Sequence, residues 1–210
     1  MDLHQQMERI YRERALEAIP WNDENPPGLL VDLVESGTLV PGDAVDLGCG
    51  AGNHAVWLAE RGFRVTGLDF SARATELATE LAARRGVKCR FVVRDVTGDV
   101  GDLEGAFDFA CDWEVLHHVF PDLRPRYVDN VLRLLRPGGR YLSVCFSEED
   151  PAFGGEGKYR TTPLGTRLYF SSEAELRDLF APRFEIKDLF TTTIGAHIAH
   201  RAVVAWLATV

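Results

Sequence analysis

Between residues 44 and 146 the sequence alternates between short apolar segments and longer segments of mixed character. The apolar segments predict β-strands at 44–47, 63–70, 88–95, 107–113 and 140–146, and the segments between them predict helices at 54–62, 71–86 and 123–135. Continuously apolar strands separated by helices are typical of a parallel sheet covered on both faces. The alternation therefore predicts an α/β fold built as a single-domain, Rossmann-like, doubly wound sheet.

After the fifth predicted strand the sequence changes character. Residues 148–166 contain several glycines and two prolines, which predicts a long loop. A capping box at its start predicts a helix at 171–180. The last two predicted strands, 184–190 and 200–210, are joined by a short connection, and such strands pair antiparallel. The sheet should therefore be mostly parallel, with one reversed strand near the C-terminus.

The residues before the first of these strands predict a separate helical segment. A helix is predicted at 3–18, a turn-rich stretch at 20–28 and a second helix at 29–37. We therefore expect two parts, an N-terminal helical cap or lid over residues 1–40 and a main domain over residues 41–210.

The composition argues against several classes of protein. The 210 residues include 23 Lys or Arg and 32 Asp or Glu, and the net charge of −9 argues against a surface that holds a nucleic-acid backbone. The charged N-terminus is unlike a signal peptide, and no apolar run approaches the ~20 residues of a membrane-spanning helix. The four cysteines lack metal-ligand spacing and suit a reducing compartment. We expect a cytoplasmic protein with no metal, no membrane partner and no nucleic-acid partner.

A glycine-rich turn follows the first predicted strand, with acidic residues at neighbouring strand ends. Residues 48–52 have the pattern GxGxG, whereas the dinucleotide fingerprint is GxGxxG, so the third glycine comes one residue early. Asp46 immediately precedes the turn, Asp69 closes the second strand and Asp95 closes the third. An acidic residue at the end of the second strand usually holds a ribose hydroxyl pair, and it repels a phosphorylated ribose. The pattern indicates a nucleoside-bearing ligand that needs no phosphate cradle.

The residues around this turn are similar to a known family. Residues 45–71 closely resemble the first two motifs of class I S-adenosylmethionine-dependent methyltransferases. The resemblance continues in order and spacing through 94–96, 111–119 and 132–144, and the two closing strands fit the reversed hairpin of that family.

The resemblance implies that S-adenosylmethionine is the cofactor and that residues 41–210 form the domain that binds it. It places Asp46 near the ammonium group, Asp69 on the ribose hydroxyls and Asp95 on the adenine amino group. The other implied cofactor contacts lie beside these acids and at the end of the fourth strand: Gly48, Cys49, Gly50, Asn53, Phe70, Val96, Asp112 and Trp113. Asp112 and Trp113 would also flank the transferred methyl group, and the small size of Cys49 suits a crowded turn better than a nucleophile.

Four histidines need separate interpretations. His117 and His118 follow the fourth predicted strand and are the candidate general bases, although either of them could instead be a packed structural residue. Adjacent residues in a helical turn point in different directions, so at most one of the two is expected to face the site. His197 and His200 have no acidic neighbour in sequence, which favours packing or solvation over a metal site.

The segment ahead of the first motif indicates the class of methyl acceptor. Residues 19–42 resemble the corresponding segment of small-molecule methyltransferases such as the thiopurine and tellurite-resistance enzymes, in which a Pro-Trp pair leads into a helix that caps the pocket. Tyr11, Trp21 and Asn22 are therefore candidate lid or substrate-binding residues. The alternative for Trp21 is that it packs the first helix onto the domain. The acceptor is then a small molecule, methylated by in-line displacement.

Other interpretations stay open. The sequence Asn-Pro-Pro at 25–27 resembles part of a motif found in enzymes that methylate nucleic-acid bases, but Gly28 stands where that motif has an aromatic residue. We interpret it as a turn into a helix. A nicotinamide-dependent oxidoreductase on a similar sheet, or a cofactor-binding protein without catalysis, are the alternatives to a methyltransferase.

Overall fold

A computed structural model of the chain describes residues 2–195 and 198–210. The chain divides into two compact units, residues 1–96 and 97–210. Within the described residues, no helix combines the length and the apolar character needed to cross a bilayer.

The first unit carries three parallel strands and the helices around them. Its elements in chain order are α1 (Leu3–Glu13), α2 (Gly28–Glu35), β1 (Asp43–Leu47), α3 (Asn53–Glu60), β2 (Arg64–Asp69), α4 (Ala72–Arg85) and β3 (Cys89–Val93). The strands lie in the order β3-β2-β1, and both neighbouring pairs are parallel. The boundary predicted between residues 40 and 41 falls inside this unit, so the division into cap and domain stays a prediction.

The sequence of the first unit explains its elements. In β1 and β2 the residues after the first are buried, as expected for strands covered on both faces. In α4, Ser71 is the N-cap and accepts a hydrogen bond from the backbone N–H of Ala74 at 3.1 Å. The helix ends at Gly86, whose φ of +68° is the left-handed conformation that glycine adopts at little cost. These two capping residues confirm the predicted helix. Asp69, just before the N-cap, is the last residue of β2.

The predicted first helix is shorter than expected. Helix α1 ends at Glu13 rather than at residue 18, because the backbone becomes extended at Arg14. A helix continued to residue 18 would carry the chain about 10 Å along its axis away from position 11, given a rise of about 1.5 Å per residue. The early end instead lets Trp21 return to Tyr11.

The second unit contains the remaining strands. Its elements are β4 (Phe107–Trp113), α5 (Arg124–Leu134), β5 (Leu135–Phe146), β6 (Gly154–Glu156), β7 (Tyr159–Thr161), β8 (Arg167–Tyr169), α6 (Glu173–Phe180), β9 (Glu185–Ile194) and β10 (His200–Ala208). Strands β4, β5, β10 and β9 lie in that order. Strand β5 pairs parallel with β4, whereas β10 pairs antiparallel with both β5 and β9. Strand β10 is therefore the reversed strand, which confirms the predicted α/β Rossmann-like fold class.

The prediction of a long loop at 148–166 is wrong in one respect. It contains β6 and β7, which with β8 form a separate antiparallel three-stranded sheet. These strands have three residues each, too few for an alternation to be recognised, and glycines form their turns. The turn between β7 and β8 is closed by the hydroxyls of Thr162 and Thr166, 2.6 Å apart, and passes through Gly165 at φ +80°.

Candidate functional site

The glycine turn leaves the end of β1 and is held tightly within the first unit. The backbone N–H of Cys49 donates to the carbonyl of Leu68 at 3.0 Å, and the N–H of Gly52 donates to the carbonyl of Cys49 at 2.9 Å. Gly50 has a φ of +52°, and a Cβ atom there would lie 2.7 Å from the hydroxyl of Tyr11. Only glycine allows this close approach of another residue to the turn.

Asp69 is buried beside this turn, and backbone groups hold its carboxylate. The backbone N–H of Gly50 donates to Oδ2 at 2.9 Å, and that of Ser71 donates to Oδ1 at 2.8 Å. Burial raises the pKa of Asp69 to about 6, while the two N–H donors act in the opposite direction. A carboxylate can accept more than one hydrogen bond at each oxygen, so the hydroxyls of a ribose are suitable further donors. The residues present therefore fit a nucleoside-bearing cofactor.

Asp95, predicted to lie on the adenine amino group, and Phe70, another predicted cofactor contact, both contact one side chain of α1. The imidazole of His4 stacks on Phe70 with the ring centroids 4.2 Å apart, and its Nε2 lies 3.2 Å from Oδ2 of Asp95. Val96, the next predicted residue, is buried. No local sequence pattern indicates a role for His4, because a single histidine on an amphipathic helix has many ordinary explanations.

The predicted lid residues contact each other and the turn. The indole N–H of Trp21 donates to the hydroxyl of Tyr11 at 2.9 Å. The side-chain amide of Asn53, the first residue of α3, donates to the side-chain oxygen of Asn22 at 3.0 Å. Within the first unit, the N-terminal segment therefore contacts the glycine turn and the start of α3, and its role as a lid stays a prediction.

Glu8, which no sequence pattern marks as a site residue, connects α1 to the start of α4. Glu8 accepts hydrogen bonds from the hydroxyl of Ser71 at 2.5 Å and from the backbone N–H of Arg73 at 3.2 Å. Its pKa is lowered, because these donors and the neighbouring Arg12 outweigh the opposing effect of burial. The hydroxyl of Ser71 thus accepts a hydrogen bond from its own helix and donates one to the N-terminal segment.

Two predicted contacts lie deep in the first unit. Asp46 is buried and stands opposite Gly67 in the β1–β2 register. Burial, followed by the charges of Asp69 and Asp46, raises the pKa of Cys49 far above its usual range, so this thiol stays protonated. A Cβ atom at Gly67 would lie 2.8 Å from the sulfur of Cys49, which shows how closely this side chain is packed.

In the second unit, Asp112 has an environment that the sequence did not indicate. Its buried carboxylate accepts hydrogen bonds from the hydroxyls of Tyr127 at 3.2 Å, Tyr141, and Ser143 at 3.1 Å. Burial raises its pKa to about 6 although these three donors lower it. Trp113, the last residue of β4, is half-buried. The predicted positions of Asp112 and Trp113 beside the methyl group remain predictions.

Burial lowers the pKa values of both His117 and His118, which favours their neutral forms. His117 stacks on Phe146 at 4.3 Å, and its Nδ1 accepts a long hydrogen bond of 3.4 Å from the backbone N–H of Phe146. Burial, with the nearby His118 and Arg124, holds the pKa of His117 far below its usual range. Burial lowers the pKa of His118 to about 4, and its Nδ1 has no hydrogen-bond partner among the described residues. Their predicted catalytic role is untested.

An aromatic cluster in the second unit includes one of these two histidines. It consists of His117, Phe146, Phe153, Phe170 and His200. Phe146 is its centre, with ring centroids 5.3 Å from Phe170 and 4.7 Å from His200. His200 has no acidic neighbour in sequence, but the fold brings Asp150 to 3.3 Å from its Nδ1. Fifty positions separate these two residues, so their pairing left no local pattern. His197 lies outside the described residues.

Known proteins give a consistent comparison. The family described as "Methyltransferase domain" matches residues 44–139. The 2-heptyl-1-hydroxyquinolin-4(1H)-one methyltransferase of Mycobacteroides abscessus is 30% identical over 201 residues, covering 93% of this chain and 83% of the relative.

Solved structures agree over almost the whole chain. A structure from work on the conversion of a disulfide bond into a thioacetal group during echinomycin biosynthesis has a TM-score of 0.83 and 26% identity, covering 99% of this chain and 92% of the other. The Burkholderia thailandensis 1,6-didemethyltoxoflavin-N1-methyltransferase, with 1,6-didemethyltoxoflavin and S-adenosylhomocysteine bound, has a TM-score of 0.75 and 26% identity over 99% and 87%. With the glycine turn and Asp69 as described, the chain belongs to the class I S-adenosylmethionine-dependent methyltransferases.

Proposed function

We propose that this protein methylates a small, flat heteroaromatic compound and has no nucleic-acid or membrane partner. The observation that carries the proposal is the aromatic cluster, which places phenylalanine and histidine rings at and after the end of β5. Aromatic rings bind a flat ligand by stacking, with centroids about 4.5–7 Å apart. The names of two relatives, which act on a hydroxyquinolone and on a toxoflavin precursor, support the same class of acceptor.

The residues of the first unit are proposed to hold the cofactor. Asp69 would accept from the ribose hydroxyls, Phe70 and Asp95 would face the adenine, and Asp46 would lie near the ammonium group. Gly48, Cys49, Gly50, Asn53 and Val96 would line the turn around it, with Tyr11, Trp21 and Asn22 as the lid. This set is acidic and apolar, which suits a ligand that carries a sulfonium and an ammonium group.

The proposed reaction is an in-line displacement. S-adenosylmethionine supplies a methyl group that its sulfonium has already activated. The protein must position the acceptor and exclude water, and it needs a general base only where the acceptor is protonated at working pH. His117 and His118 remain candidates for that base, with Asp112 and Trp113 beside the methyl group. A cytoplasmic location is also proposed, because all four cysteines are among the described residues and none forms a disulfide.

Calorimetry and a product assay test this proposal together. S-adenosylhomocysteine should bind saturably to the wild type and at least about tenfold more weakly to Asp69→Asn, whereas Asp178→Asn, at an exposed position on α6, should bind it normally. Mass spectrometry should then detect methylated 2-heptyl-1-hydroxyquinolin-4(1H)-one.

The alternatives give different results in the same assays. Binding of NAD in place of S-adenosylhomocysteine would favour the oxidoreductase. Binding of S-adenosylhomocysteine without transfer to any heteroaromatic, thiol, amine or halide acceptor would favour the non-catalytic protein. Methylation of tRNA without methylation of small molecules would overturn the proposed class of acceptor.

A further inference from the structure

A histidine on α1 lies against two residues that are proposed to face the adenine of the cofactor. The imidazole of His4 stacks on Phe70, with the ring centroids 4.2 Å apart and an interplanar angle of 26°. Its Nε2 lies 3.2 Å from Oδ2 of Asp95. Phe70 follows the end of β2 and Asp95 follows the end of β3, and these two strands are parallel neighbours. One side chain therefore connects two adjacent strand ends within the first unit.

The rest of α1 sets the position of this imidazole. His4, Glu8 and Tyr11 are four and three residues apart, which places them along one face of the helix. Glu8 is hydrogen-bonded at the start of α4, and the hydroxyl of Tyr11 stands over the glycine turn. At the start of α1, the side chain of Asp2 accepts from the backbone N–H of Gln5 at 2.9 Å and closes the first turn. The helix therefore holds His4 against the strand ends.

The contact with His4 restricts the carboxylate of Asp95. A carboxylate beside Nε2 favours the imidazole with its proton on that nitrogen, which can then donate to Oδ2. The second oxygen, Oδ1, keeps its lone pairs for another donor. The side chain of Asp95 is 34% exposed, so without His4 its carboxylate could turn between the site and solvent. The histidine therefore preorganises Asp95 as a hydrogen-bond acceptor.

Purine bases differ at the position that Asp95 would face. Adenine has an amino group there, which donates a hydrogen bond, whereas hypoxanthine has a carbonyl oxygen, which accepts one. A carboxylate fixed as an acceptor bonds to the first base and leaves the second without a hydrogen bond. A carboxylate that can turn into solvent avoids this penalty. The preference for adenine therefore depends on how firmly Asp95 is held.

We propose that His4 is a positioning residue that selects adenine as the base of the cofactor. By donating to Oδ2 of Asp95, it presents Oδ1 to the amino group of the base. By stacking on Phe70, it also holds the ring against which the base would pack. The proposal rests on the proposed function and extends it, because it assigns base selection to the N-terminal helix. All three residues belong to the first unit.

Calorimetry with two probes tests this role. The probes are S-adenosylhomocysteine and S-inosylhomocysteine, in which a carbonyl oxygen replaces the amino group of the base. The wild type should bind the first probe at least about tenfold more tightly, because the second leaves a hydrogen bond of the site unmade. His4→Phe keeps an aromatic ring and removes the N–H donor. In this variant the ratio of the two affinities should fall by about fivefold, mainly through weaker binding of S-adenosylhomocysteine.

Three further variants separate the donor from the ring. His4→Gln keeps an N–H donor and removes the ring, so it should retain most of the ratio while binding both probes more weakly. Gln5→Ala, at the neighbouring exposed position of α1, should match the wild type. Asp95→Asn supplies an amide that can donate to a carbonyl oxygen, so its ratio should approach one or reverse.

Other outcomes overturn the assignment. A merely structural role of His4 would weaken both probes by the same factor in His4→Phe and leave the ratio unchanged. Tighter binding of S-adenosylhomocysteine in His4→Phe or His4→Ala would show that the histidine competes with the base for its place. An unchanged ratio in Asp95→Asn would show that Asp95 does not contact the amino group. If the wild type binds neither probe, the proposed function fails and the role of His4 fails with it.

Discussion

Trp21 donates its indole N–H to the hydroxyl of Tyr11 at 2.9 Å, and this hydroxyl stands directly over Gly50 of the glycine turn. The bond joins residues ten positions apart and therefore folds the N-terminal segment back across the turn. Both interpretations of Trp21, as a lid residue and as a packing residue, require this contact. They differ in whether the contact matters for cofactor affinity.

Replacing Tyr11 with Phe should separate the two interpretations. The change removes the acceptor for the indole N–H and should lower the free energy of unfolding by about 1 kcal/mol, the typical net value of a hydrogen bond. If the segment is a lid, the affinity for S-adenosylhomocysteine should also fall by several-fold. Urea unfolding and calorimetry measure the two effects. Trp21→Phe is the matched variant, and a loss of stability with unchanged affinity in both would assign the pair to packing alone.

Gly50→Ala should weaken cofactor binding for a steric reason. The new Cβ would lie 2.7 Å from the hydroxyl of Tyr11, too close without a shift of the lid, and the φ of +52° is unfavourable for alanine. Gly86→Ala is the matched control, because Gly86 has a φ of +68° and open space around its Cβ position. We expect both variants to lose stability from backbone strain, and only Gly50→Ala to lose affinity for S-adenosylhomocysteine.

A double variant isolates the contact between the two residues. Removing the hydroxyl in Tyr11→Phe relieves the clash with an alanine at position 50, so the effects of Gly50→Ala and Tyr11→Phe on affinity should be less than additive. Equal losses in Gly50→Ala and Gly86→Ala, or full additivity in the double variant, would contradict the proposed approach of the lid to the turn.

The affinity for the cofactor should depend on pH through Asp69. Burial raises its pKa to about 6 in the free protein, and ribose hydroxyls that donate to the carboxylate favour its charged form, which lowers the pKa in the complex. Binding should therefore be strongest above about pH 7 and weaken as the pH falls through about 6. Calorimetry between pH 5 and 8 measures this change. The charges of Glu8 and His4 also act on Asp69. Asp69→Asn should therefore remove most of the dependence of cofactor affinity on pH.

Much of the fold could be predicted from the sequence because its signals are local. The period of the apolar residues, Ser71 as an N-cap and Gly86 as a helix terminator each act within a few positions, and the structure has the elements they predict. The short connection before β10 predicted the reversed strand for the same reason. Strands β6, β7 and β8 were missed, because three-residue strands depend on pairing with each other rather than on a pattern of their own.

The residues missed around the sites have long-range partners. His4 contacts Phe70 and Asp95 across more than sixty positions, and Asp150 contacts His200 across fifty. Nothing within a short window of sequence records such pairs. The position of Asp69 could be predicted, because a strand end and an acidic residue coincide there. Its elevated pKa could not be predicted, since that shift depends on the burial that the completed fold imposes.

The hydroxyl donors around Asp112 predict an effect on stability that depends on pH. Asp112→Asn places an amide among the hydroxyls of Tyr127, Tyr141 and Ser143 and should cost about 1–3 kcal/mol, the loss expected for an unsatisfied buried group. Burial raises the folded-state pKa of Asp112 above its ordinary value to about 6, so ionisation of the carboxyl destabilises the folded protein. The free energy of unfolding of the wild type should therefore exceed that of the variant most at about pH 4. This difference should shrink as the pH rises through 6. Urea unfolding at pH 4.5 and 7.5 measures the difference, with Asp178→Asn, at an exposed position, as the control. An advantage that grows towards pH 7.5 would instead show that the hydroxyls favour the ionised carboxylate.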